Sequence, residues 1–219
     1  GCDAHDVPEE DEDGYDPEGP AGLGHAAPRD RVEEGCAETA PPTRIWQSVS
    51  QSASGPLIVT ALLGHADQAW ADGLRRRFYP ADRNQVPAHL TLFHQLPPSC
   101  ERELRTCLSA AARMAPPIAC VDRLLDLGGG VALHVMREGL AALREGLAAH
   151  FQGLLTAQDG HRPRFHITIQ NKVSQREARE TLAQLSAGFR ARPLALHGLA
   201  CWRYLGGPWS PVARFPFRG

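Results

Sequence analysis

From Pro56 onward the apolar positions alternate between two rhythms. "PLIVTALLG" (Pro56 to Gly64) is a short β-branched run bounded by turn residues, which predicts a buried strand. "ADQAWADGLRRRFYP" places Trp70, Leu74 and Phe78 at helical spacing, and Pro80 stops that helix. "AHLTLFHQLP", from Ala88, returns to a period of two and predicts another strand. Pro97, Pro98 and Ser99 then open a helix to about Met114, with Ser99 as its N-cap. "PIACVDRLLDL" and "VALHVM" flank Gly128, Gly129 and Gly130 as two strands around a tight connection.

The order then repeats. Leu140, Leu143, Leu147, Phe151 and Leu154 form one helical stripe, and a turn containing Gly160 leads into "FHITIQNKV", a near-copy of the earlier strand. Ser174 and Glu177 make a capping-box pattern ahead of a helix to about Gly188. Arg192 to Leu205 and Pro211 to Phe217 predict a closing hairpin across "GGPW". Each half reads strand, helix, motif strand, helix, strand, as an internal duplication would give.

Residues 1–54 depart from this pattern. They carry 13 acidic side chains against 3 arginines, with many Pro and Gly and almost no branched apolar residues, and so predict a disordered tail ahead of an ordered domain over residues 55–219. That domain has 12 acidic and 20 basic side chains, a surplus that fits an anionic ligand as well as a solvated arginine-rich surface. No apolar run approaches the roughly 18 residues of a membrane helix. The expectation is a cytoplasmic monomer with no membrane partner. The six cysteines show neither CxxC pairs nor zinc-ligand spacing, and read as reduced thiols without a metal.

Along the first motif strand His89 and Thr91 share one face, opposed by Leu90 and Leu92. Along the second, Arg164, His166, Thr168, Gln170 and Lys172 oppose Phe165, Ile167, Ile169 and Val173. Two imidazoles and two hydroxyls around one space suit a phosphate, with one ring taking a proton while the other gives one and the hydroxyls bonding oxygens where charge builds. Ten histidines and eight threonines yield about 0.4 His-x-Thr triplets by chance, so one would mean little. Two, framed alike by apolar residues, are a signal.

His89-Leu90-Thr91-Leu92 and His166-Ile167-Thr168-Ile169 resemble the paired HxTx signatures of the 2H phosphoesterase superfamily, and of its bacterial 2′-5′ RNA ligase family with its 2′,3′-cyclic phosphodiesterases. The likeness runs from about Pro56 to Phe217. It implies a bilobal α+β fold, two antiparallel sheets flanked by helices around a pseudo-two-fold cleft. It implies an enzyme that opens or closes a phosphodiester on RNA ends or cyclic nucleotides without metal or nucleotide cofactor. It makes His89 and His166 the acid/base pair and Thr91 and Thr168 the phosphate binders. Phe165 stands where relatives commonly carry proline, which bears on substrate fit more than on chemistry.

Arg164 and Lys172 share the motif face and read as substrate-binding. Alternation puts His94 on the face opposite His89, in a structural role. His134 lies on a strand that either borders the cleft or packs in the core, and Arg75, Arg76 and Arg77 read as an exposed helix face. Trp202, Tyr204 and Trp209 suit hairpin packing, with base stacking as the alternative. Two rival readings of the whole are a non-catalytic RNA- or nucleotide-binding module and a metal site built from His89, His94 and His166.

Overall fold

A computed structural model describes residues 55–136 and 139–219; the acidic tail expected over residues 1–54 lies outside the described residues. In chain order the elements are β1 (Leu57–Leu63), α1 (His65–Phe78), β2 (Leu90–Leu96), α2 (Glu101–Ala111), β3 (Ala119–Asp126) and β4 (Val131–Met136). Then come α3 (Leu140–His150), the single turn α4 (Ala157–Gly160), β5 (His166–Gln170), α5 (Gln175–Gly188), β6 (Arg192–Leu194), β7 (Leu196–Arg203) and β8 (Ser210–Pro216). They build two four-stranded antiparallel sheets, ordered β2-β1-β7-β8 and β5-β4-β3-β6, the α+β arrangement expected.

Both motif strands are edge strands, and β2 packs against β5. An open strand edge invites pairing with other chains, so each lobe shields the exposed edge of the other. Behind them β1 and β4 sit inside their sheets. Leu57, Val59 and Ala61 face the core with Leu90, Phe93 and Leu96, while Val131, Leu133 and Val135 do so with Ile167. Ala71, Leu104, Leu108, Leu140, Leu143, Leu147 and Phe151 from the helices complete one contiguous core.

Three expectations need correction. Arg192 to Leu205 is not one strand. Ala195 interrupts it, its N–H donating to the Asp67 carboxylate at 2.7 Å and its carbonyl accepting from the Gly64 N–H at 2.8 Å. β6 therefore joins the second sheet and β7 the first, so the two sequence halves do not coincide with the two lobes. The helix after Pro98 starts at Glu101 behind a 3₁₀ turn and ends at Ala111; no side chain caps it, Ser99 included. In α1 the fully buried stripe is Asp67, Ala71 and Arg75, with Trp70, Leu74 and Phe78 half-buried beside it. The capping box of Ser174 and Glu177 forms as expected. Among the described residues no helix is long and apolar enough to cross a membrane.

Candidate active site

The backbone ahead of His89 is gripped by α1. Asp72 accepts the Ala88 N–H at 2.6 Å and Gln68 donates to the Ala88 carbonyl at 2.9 Å. The two side chains are one turn apart, so a single helix face satisfies both polar groups of one residue. His89 then donates from Nδ1 to the Pro87 carbonyl at 2.8 Å, and His166 from Nδ1 to the Arg164 carbonyl at 2.7 Å. A carbonyl can only accept, so Nδ1 carries the hydrogen and Nε2 of the neutral ring keeps its lone pair. The same tether, two residues upstream, serves both repeats.

Burial pushes His89 down to about 4; its bond to Pro87 opposes this, and the positive charges of Arg75, His166 and His94 add to it. His166 is lowered too, by burial first, against the bond to Arg164 and with His94, Arg164 and His134 contributing. The two rings thus lie within electrostatic reach of each other and of His94. Thr91 pairs with Thr60 on β1 and Thr168 with Ala132 on β4, which keeps each threonine on the face of its own histidine.

Arg75, expected on an exposed face, is only 3 % exposed; Arg76 and Arg77 are the exposed pair. Its guanidinium lies 4.0 Å above the Tyr79 ring and donates to Asn84 Oδ1 at 3.1 Å, the Val86 carbonyl at 3.1 Å and the Thr168 carbonyl at 2.9 Å. It ties the segment before β2 to β5.

Each motif strand contains a bulge that simple alternation misses. Thr60 pairs with Thr91 but Val59 with Phe93, so Leu92 is an extra residue and both Leu92 and Phe93 are buried. The inversion carries His94 onto the face of His89 and Thr91, against expectation. The second strand does likewise: Ala132 pairs with Thr168 but Val131 with Gln170, leaving Ile169 as the extra residue. Gln170 consequently turns into the core and donates to Thr181 Oγ1 at 3.0 Å. The five-residue polar face expected for this strand ends at Thr168. Lys172 lies beyond the strand with φ 59°, and its carbonyl accepts from Arg83 at 3.5 Å. Arg164 is exposed, and its charge bears on His166.

Other residues join the site, His134 among them, on the strand that the sequence allowed to border the cleft. His134 lies directly opposite His166 on β4, and its Nδ1 donates to Asp122, itself the extra residue of a bulge in β3. Trp209, expected to pack the hairpin, sets its ring 4.5 Å from that of His89; Trp202 stands behind it and donates to Thr60 Oγ1 at 2.9 Å. Arg214 shares the face of Thr91 through the paired row Thr60, Ala200, Arg214. Only strand register could reveal these, and register is not written in a local pattern. A groove of about 840 Å³ along α2, lined by Arg102, Arg105, Arg113 and Phe215, contains none of the histidines. Among the described residues no three His, Cys, Asp or Glu side chains gather so as to hold a metal ion.

The sequence matches the profile of the 2′-5′ RNA ligase superfamily over residues 64–208, more than half of the chain. The chain belongs to that superfamily. Membership makes this protein an enzyme of the 2H phosphoesterase type. No curated protein matches it. Among solved structures, TT0787 of Thermus thermophilus is 21% identical with a TM-score of 0.53, over 75% of this chain and 98% of that one. LigT of E. coli complexed with 3′-AMP is 17% identical with a TM-score of 0.50, over 76% of this chain and all of LigT. A protein described as a phosphoesterase is 15% identical with a TM-score of 0.50, over 76% and 100%. At these identities the likeness establishes the 2H phosphoesterase fold of two antiparallel sheets flanked by helices.

Proposed function

We propose that the enzyme opens 2′,3′-cyclic phosphates on RNA ends or nucleotides, with His89 and His166 as the base and acid and Thr91 and Thr168 as phosphate ligands. The observation that carries this reading is the matched pair of imidazoles: each is tethered at Nδ1 to the carbonyl two residues upstream, and each sits on the edge strand that meets the other's. LigT, which shares the fold, binds 3′-AMP in its crystal structure, and the proposal extends ligands of that class to this chain.

His89, the more strongly depressed ring, starts neutral and takes a proton from water at Nε2 as the water oxygen attacks phosphorus. His166 starts protonated and gives its Nε2 proton to the ribose oxygen as the P–O bond breaks. The negative charge of the bound phosphodiester favours that protonated ring. Thr91 and Thr168 hydroxyls donate to the non-bridging oxygens, where charge accumulates. With the 5′-hydroxyl of a second RNA end in place of water, the same base and acid would join it to the cyclic phosphate, the 3′ oxygen leaving with the proton and a 2′-5′ linkage remaining. The scheme needs neither metal nor nucleotide cofactor. A cytoplasmic site of action belongs to the same proposal.

His89→Ala and His166→Ala should each lower turnover of a 2′,3′-cyclic nucleotide by about 10²–10⁴-fold while circular dichroism stays native. Wild-type rates in both variants would overturn the reading. Nucleotide binding without turnover at any pH would favour the binding module instead.

A further inference from the structure

The bulge at Leu92 has a functional counterpart in the residue it turns around. His94 stands on the face of His89 and Thr91, and its charge bears on both His89 and His166. Its orientation is set by a residue from the second half of the chain. Asp159, in α4, is almost fully buried and accepts from the His94 N–H at 2.9 and 3.0 Å, from the Gln95 N–H at 2.9 Å and from His94 Nδ1 at 3.0 Å. Burial opposes ionisation of that carboxyl, but the bonds from the His94 ring and from the two backbone N–H groups hold it below the ordinary range. Arg144, buried and stacked over the Phe93 ring, donates in turn to the Asp159 carbonyl, and Thr156 Oγ1 accepts the Asp159 N–H at 3.2 Å.

A carboxylate accepts only, so the hydrogen on His94 lies at Nδ1, and Nε2 points away from Asp159 across the ring. The corresponding position in the second repeat, after Thr168 and its own bulge, is Asn171, whose side chain bonds the neighbouring Lys172 N–H at 2.9 Å. The pseudo-symmetry is broken at one place, and an imidazole occupies it on one side only.

We infer that His94, oriented by Asp159, is a third substrate-contacting imidazole of this site and bonds a non-bridging oxygen of the phosphate through Nε2. The inference rests on the phosphodiester reading above. In that complex the ring donates from Nδ1 to Asp159 and from Nε2 to the anion, a charge-assisted pair of bonds.

Two variants separate this role from a purely structural one. His94→Asn keeps a donor where Nδ1 bonds Asp159 but removes the distal nitrogen, whereas His94→Gln places an amide nitrogen near the position of Nε2. His94→Asn should raise KM for a cyclic nucleotide and the inhibition constant for inorganic phosphate by about 10–100-fold, with the melting temperature held near the wild-type value. His94→Gln should recover part of the loss. In the wild-type protein, adding phosphate should shift the ¹⁵N resonance of His94 Nε2, which tests the contact even if a variant folds poorly. Wild-type constants in His94→Asn, or an unmoved resonance, would overturn the inference. If His89→Ala is inactive in the same assay the catalytic reading survives that result, whereas a wild-type protein that neither binds phosphate nor turns over removes both.

Discussion

Burial decides how the two catalytic imidazoles can be used, and it does so in a testable direction. In the free enzyme the base His89 must be neutral, which holds above about 4, and the acid His166 must be protonated, which fails above a value held under the ordinary 6.5. The profile of kcat/KM should therefore be bell-shaped, with its maximum in the mildly acidic range between those limits. A maximum above pH 7.5 would refute this pair of lowered imidazoles as the groups that set the profile. The same shifts link to stability. Unfolded histidines bind protons near 6.5 and these folded ones do not, so stability is full above that pH and is lost as the pH falls through the folded values. The urea midpoint should drop between pH 7.5 and pH 5, and His89→Gln should flatten the drop. At this scale the sequence was informative where two positions sufficed: His-x-Thr needs only a period of two to put both side chains on one face. His94 and Asp159 were beyond its reach, because a single extra residue or a partner 65 positions away decides where they point.

Among the elements, α1 positions chemistry it does not perform. Its Gln68 and Asp72 close both polar groups of Ala88, the residue before His89. Asp72→Ala leaves the N–H of buried Ala88 without its acceptor, so it should cost about 1–3 kcal/mol in denaturant unfolding and also lower kcat. Ser174→Ala, which removes the N-cap of α5, should cost about 1 kcal/mol and leave kcat unchanged. Equal losses of kcat in both would show that α1 acts through stability alone. Most elements were legible from periodicity, since β-branched runs, glycine turns and the Ser174 capping box carry their own local signals. The boundary at Ala195 was not, for its cause is the carboxylate of Asp67, far away in sequence. Nor was the inward face of α1, where a polar stripe is buried because its partners come from other strands.

Across the whole molecule the two halves of the chain are held together by buried polar ties as well as by the shared core. Arg75 reaches from α1 to the Thr168 carbonyl, and Asp159 reaches from α4 to the backbone of β2. Arg75→Met preserves apolar bulk but strands three oxygen acceptors, so urea unfolding should show a loss of about 3–5 kcal/mol. Activity at 25 °C should fall as well, because the two motif strands lose a common reference; an unchanged midpoint would refute the tie. The bilobal plan could be read from the repeat, yet the exchange of strands between lobes could not, since nothing local says which sheet a strand will join. That exchange has an evolutionary and practical consequence. A polypeptide severed between β3 and β4 would leave its first piece without the neighbour on one side of β1 and with an orphaned β3, so neither gene fragment encodes a self-sufficient sheet. The two pieces would have to be supplied together, as a split enzyme whose activity reports their reunion.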